Sequence, residues 1–156
     1  TADFSPLLDR LPQELADTWS LDAESPHHFL GTSPRLPRDK AISAYVRSML
    51  KPSMTVRQIA ETLCSRIHKD FKYDAEATTV DTTPAESFAK KRGVCQDFSH
   101  VMIVALRSLG IPAGDVSGFL PRLCRCSTGH RCAEKLRLAP DRSGRGRDSG
   151  PAIAAV

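Results

Sequence analysis

Apolar residues recur at spacings of three and four in four stretches of this chain, and each stretch predicts an amphipathic helix. The first carries Phe4, Leu7, Leu8, Leu11, Leu15 and Trp19, with Pro6 and Pro12 limiting it to one or two short helices. The second runs through Ile42, Tyr45, Val46, Met49 and Leu50, and the third through Val56, Ile59, Ala60, Leu63, Cys64, Ile67 and Phe71. The fourth, Phe98, Val101, Met102, Ala105, Leu106 and Leu109, makes one continuous buried stripe. Between the first and second, Leu21 to Pro37 follows neither the helical nor the strand period, and its SPHHFLGTSPRLP reads as a linker or extended arm.

Boundary signals agree with these periods. Asp39 caps the second helix and Lys51-Pro52 stops it, while Thr55 with Gln58 forms a capping box for the third. Ala75 to Thr82 has no stripe and reads as an exposed loop. Thr83, Pro84 and Glu86 supply an N-cap, an N1 proline and a capping glutamate for a short helix closing at Gly93. Gly110 followed by Ile111-Pro112 gives the fourth helix a left-handed C-cap and a stop. Val116 to Leu120 then reads as the first strand of a sheet packed on that helix.

Beyond Arg122 the pattern is lost: no aromatic residue follows Phe119, and Arg, Gly, Ser, Ala, Pro and Cys dominate. The net charge of +4 belongs to this tail, because residues 122–156 carry seven Arg and one Lys against three acidic residues, leaving −1 for residues 1–121. A chain of 156 residues supports one domain with a real core. The expected division is an N-terminal helical or extended arm over 1–38, a core over 39–121 and a basic, disordered tail over 122–156. No apolar run approaches the ~20 residues of a membrane span, and TADFSPLLDR is not a signal peptide, so a cytoplasmic location and no membrane partner are expected. Five cysteines cannot all pair within the chain and read as reduced thiols.

Cys95 carries the candidate chemistry. It stands in the first turn of the fourth helix, where unpaired N–H groups and the helix dipole favour thiolate over thiol and could hold a developing oxyanion. Position alone also allows the plainer reading of a small buried hydrophobe. Cys64, inside an apolar stripe with no base or dipole beside it, reads as structural, and His68 as helix surface. His27 and His28 are adjacent and point apart, which does not suit a shared metal. Cys124, Cys126, His130 and Cys132 crowd within nine residues without the paired CxxC knuckles of structural zinc sites, so no metal and no cofactor is expected. The Arg-rich tail lacks stacking aromatics, which argues against nucleic acid as a partner. Nothing in the pattern specifies an oligomeric state.

The run FKYDAEATTVDTTPAESFAKKRGVCQDFSHVMIVALRSLGIPAGDVSGFLP resembles the bacterial transglutaminase-like family, with its aromatic-Tyr pair, Thr-rich loop, GVCQDFAH-type cysteine helix and LGIPARYVSGY-type strand. The resemblance covers about residues 29–121. It implies an α+β fold: the helical half of a transglutaminase-like, papain-like core, with the cysteine helix packed on a small, truncated antiparallel sheet. It also implies cysteine-dependent acyl transfer on protein carboxamide or peptide bonds, with Cys95 as nucleophile and a protein or peptide as substrate. A cysteine protease-like hydrolase and a catalytically inactive, peptide-binding remnant are the alternatives within the same resemblance.

In the family the base is a histidine on a His-Ala-Trp-type strand, oriented by an acidic residue on the next strand, and no such element stands here. His130 as base and Asp141 as its orienter have the right chain order, although GHRCAEKLRLAPD lacks strand alternation. His100 is a residue of the helix motif rather than the base, and Asp97 a first-turn dipole partner. The composition change after Pro121 is what a shifted reading frame would produce. Translating the coding DNA in its other two frames past codon 121 is expected to uncover the histidine strand, and its absence from both frames would end that idea.

Overall fold

The computed structural model describes residues 3–115 and 154–155. Its elements are α1 (Leu11–Asp17), a 3-10 turn (Pro26–Phe29), α2 (Lys40–Arg47), α3 (Val56–Asp70), β1 (Lys72–Tyr73), α4 (Pro84–Lys90), β2 (Arg92–Gly93), α5 (Cys95–Ser108), β3 (Ala113–Gly114) and β4 (Ala154–Ala155). This is the expected mixture of helix and strand, and no helix among the described residues is long and apolar enough to cross a membrane.

Helix α5 is the centre. It packs against α2, α3, α4, β2 and β3, and its six consecutive residues Val101 to Leu106 are all buried. The periodic stripe predicted one buried face, but Ile103 and Val104 lie outside that stripe and are buried too, as in a helix surrounded by its own protein. The short strands therefore do not leave this helix uncovered. Its C-terminus closes as a Schellman motif: Gly110 (φ 79°) donates to Arg107 O at 3.0 Å and Ile111 to Leu106 O at 3.1 Å.

The surrounding helices begin where their caps predict. Asp39 Oδ1 accepts from Ile42 N at 2.8 Å, seating Ile42 and Val46 in the core. Helix α2 ends at Arg47, earlier than its stripe suggested, yet Met49 remains buried on the turn that follows. At α3 Thr55 Oγ1 accepts from Gln58 N at 3.2 Å while Thr55 N donates to Gln58 Oε1 at 3.3 Å, closing the capping box. Val56, Ile59, Ala60, Leu63 and Ile67 then face the core, and Cys64 is half-buried beside them.

The N-terminal stretch is tied in as well. Val56 N donates to Pro6 O at 2.9 Å, and Leu11 and Leu15 on α1 belong to the same buried cluster as α5. Arg107 of α5 donates to Ala113 O at 2.9 and 2.7 Å and to Gly31 O at 2.7 Å, fastening the turn region before α2.

Both strand pairs, β1 with β2 and β3 with β4, are parallel. This corrects the antiparallel sheet expected from the sequence for the described residues. For β1 and β2 the physical reason is the connection: α4 lies between them and returns the chain to the same end, the crossover that a parallel pair needs. The strand expected at Val116 to Leu120 lies outside the described residues, as does the tail over 122–153.

Ile103 is fully enclosed, so Ile103→Ala removes buried methylenes with little room for collapse. Its unfolding free energy in urea is expected to drop by about 2–5 kcal/mol. A loss under ~1 kcal/mol would show that α5 is not enclosed as described.

Candidate active site

The geometry at Cys95 is built by Gly93, Val94 and Asp97. Val94 is the N-cap of α5, in extended conformation, and as a valine it has no side-chain acceptor for the first-turn N–H groups. Asp97 supplies one from the third helical position: its Oδ2 accepts from Val94 N at 2.8 Å and from Thr78 Oγ1 at 2.7 Å. Asp97 is only 4% exposed, so these bonds replace the water its carboxylate gives up. It also passes directly over Gly93, where a Cβ would stand 2.5 Å from Oδ2 and 2.9 Å from Cγ. Only glycine fits there.

Cys95 is the first residue of α5 and is exposed, while the body of the same helix is buried. Its thiol therefore sits where the helix presents its N–H groups and partial positive charge to solvent. The strand pair holds the approach: Lys72 N donates to Lys91 O at 3.0 Å and Asp74 N to Gly93 O at 2.9 Å, placing exposed Tyr73 opposite Gly93. Arg92 pairs with Asp74 at 3.6 Å.

The Thr-rich loop forms a fixed wall near this point. Thr78 is bound by Asp97, Lys90 Nζ donates to Ala77 O at 3.1 Å, and Arg35 donates to Val80 O and lies 4.0 Å from Asp81. The sequence announced a loop but not these anchors. Thr78 in particular carries no local signal, because its partner is 19 positions away.

His100 is buried in α5, five residues from Cys95, which is about 140° round the helix and ~7.5 Å along it. Burial pushes its proton affinity down, the Asp115 and Asp97 carboxylates oppose that, and Arg35 adds to it. It is a core histidine, turned well away from the thiol around the helix. His130 and Asp141 lie outside the described residues, as do Cys124, Cys126 and Cys132. Among the described residues no cluster of three or more His, Cys, Asp or Glu side chains could hold a metal ion.

Residues 43–142 match the family model of the transglutaminase-like superfamily. The chain belongs to this superfamily. The matched span continues past Pro121, where the resemblance read from the residues ended, and so takes in His130 and Asp141. Uncharacterized proteins of Mycobacterium tuberculosis and Mycobacterium bovis are each 33% identical over 110 residues, covering 70% of this chain and 32% of theirs. An uncharacterized protein of Mycobacterium leprae is 44% identical over 48 residues, 31% of this chain and 17% of its own. The chain thus spans about a third of the length of the first two relatives. Among solved structures, "a Putative Cysteine Protease from Cytophaga hutchinsonii" superposes with a TM-score of 0.51 at 24% identity, covering 60% of this chain and 32% of that one. That likeness shows a shared fold, cysteine protease-like in its architecture.

His100 gives this transglutaminase-like core a defined acid response. The unfolded chain takes up a proton near pH ~6.5 that buried His100 resists, so the unfolded state binds more protons and stability falls as pH drops through that value. The urea midpoint should be lower at pH ~5.5 than at ~7.5, and His100→Gln should shrink the difference. An unchanged difference in that variant would mean that His100 protonates as freely in the fold as out of it.

Proposed function

We propose that Cys95 is the nucleophile of a cysteine-dependent acyl transfer on protein carboxamide or peptide bonds. The observation that carries this reading is an exposed thiol on the first residue of a helix whose body is buried on every side. The thiolate attacks the carbonyl carbon, and the first-turn N–H groups face the oxyanion that forms. Collapse of the tetrahedral adduct breaks the C–N bond, and ammonia or an amine leaves after taking a proton. An amine or water then attacks the thioester, forming an amide or acid and returning the thiol. The proton carrier is a base outside the described residues, for which the His130 and Asp141 pair, inside the span that matches the family, is the candidate.

Peptide bonds and side-chain carboxamides are the same electrophile in two settings, and the name carried by the Cytophaga structure supports a peptide-like donor. Protein or peptide substrates follow. A reducing, cytoplasmic setting suits an enzyme that works through a thiolate.

The test compares Cys95 with the same thiol outside the fold. At neutral pH iodoacetamide is expected to alkylate Cys95 in the protein at least ~10-fold faster than in an unstructured GVCQDF peptide, with Cys64 far slower than either. Equal rates at Cys95 in protein and peptide would remove the activated nucleophile. Ammonia release from a glutamine peptide, with and without an amine acceptor, should fall to background in Cys95→Ala. Fast alkylation without any turnover would instead identify a peptide-binding module that has kept its thiol.

A further inference from the structure

The residue that ends α4 and begins the approach to Cys95 is a lysine in left-handed conformation. Lys91 has φ 53° and ψ 32°, and among the described residues Ser53 is the only other non-glycine with positive φ. A side chain with a Cβ disfavours that region, so something must hold it there. The backbone of Lys91 is used on both sides: its N–H donates to Ser87 O at 2.9 Å, ending α4, and its carbonyl accepts from Lys72 N at 3.0 Å, starting the β1–β2 pair.

The side chain is enclosed as well. Lys91 Nζ is buried and has no hydrogen-bond partner among the described residues. It lies instead against three aromatic faces, 3.1 Å from the ring centroid of Phe88, 4.5 Å from Phe71 and 4.6 Å from Tyr45. Those rings come from α4, from the residue before β1 and from α2, so one ammonium draws together three parts of the chain. Burial lowers its proton affinity, as does Arg66, while Asp70, bound to the Tyr45 hydroxyl at 2.8 Å, favours the charge.

We propose that Lys91 is the positioning residue for Cys95: its ammonium in the Tyr45–Phe71–Phe88 cage keeps residue 91 left-handed, and that turn sets β2 against β1 and aims the first turn of α5. The proposal rests on Cys95 being the nucleophile. A purely structural role for the side chain makes a different forecast, because a methionine fills an aromatic cage well and removes the cost of a buried, unbonded ammonium. Stability and positioning therefore separate at this residue.

Three variants of the full chain, Lys91→Met, Lys91→Gly and Lys91→Arg, decide the matter. The readouts are hydrogen exchange at the Lys72 and Asp74 amides, iodoacetamide alkylation of Cys95 and thermal melting. In Lys91→Met melting is retained while amide protection and the Cys95 rate each fall on the order of tenfold, the equilibrium equivalent of an unheld left-handed residue. Lys91→Gly lacks the cage contact but adopts this conformation freely, and it returns both readouts towards wild type. Lys91→Arg keeps the cation and protects the amides better than methionine does.

Wild-type protection and rate in Lys91→Met would overturn the proposal, and so would a Lys91→Gly as impaired as the methionine variant. If Lys91→Met fails to fold, the glycine variant decides alone: wild-type amide protection supports the backbone role and its loss refutes it. Failure of the nucleophile reading is distinct, since it appears in the wild-type alkylation rate while exchange at Lys72 and Asp74 still reports on Lys91.

Discussion

A helix with a buried body and an exposed first residue must have its N-terminus closed without a bulky cap standing over that residue, and the carboxylate of Asp97 meets this requirement. Because Val94 offers no acceptor, the closure comes from inside the helix, through Asp97 Oδ2 to Val94 N. The same oxygen binds Thr78 Oγ1, so the loop before α4 is set by the atom that ends the helix. Gly93 follows from it, since any Cβ there would overlap the carboxylate. A buried carboxylate stripped of such donors is costly, which makes Gly93, Thr78 and Asp97 a single unit rather than three separate preferences.

Around that unit the fold is held by apolar and aromatic contact more than by charge. Phe71 packs edge-on against Phe98 at 5.5 Å and lies 6.0 Å from Phe88, which in turn meets Tyr45 at 5.2 Å, so rings from α2, α4, α5 and the head of β1 form one cluster. The Tyr45 hydroxyl resists ionisation, first through burial and then through Asp70 beside it. The ion pairs Arg57–Glu61 at 2.8 Å and Arg66–Asp70 at 3.6 Å are partly exposed helix pairs, which solvent screens and which add little. What fixes the place of α5 is the enclosure of Val101 to Leu106 together with this ring cluster.

What could be read from the residues was what depends on neighbours in sequence. Caps at Asp39, Thr55, Thr83 and Gly110 were legible because a cap and its partner lie within four positions. Stripes located α2, α3 and α5, but a stripe measures one face only, so Ile103 and Val104 were missed although both are buried. Strand direction was misjudged because pairing joins Lys72 to Arg92 across a whole helix, a separation that two-residue strands leave no mark of. Of the site, Cys95 was marked by its motif and Asp97 by its first-turn position. Lys91 was invisible: in sequence it is one more basic residue of AKKRG, and its burial follows from rings at 45, 71 and 88.

This division between near and far also runs through the chemistry. Most of what sets Cys95 in place lies between Lys72 and Asp97, in a stretch that folds back on itself through β1, the loop, α4 and β2. In the proposed reaction the base comes from beyond this stretch, with His130 and Asp141 as the candidates. In that proposal one set of residues supplies the nucleophile and another the proton carrier. A small electrophile that needs only the thiolate reports on the first set alone, whereas turnover requires both, because the leaving amine needs a proton that the helix N-terminus cannot give.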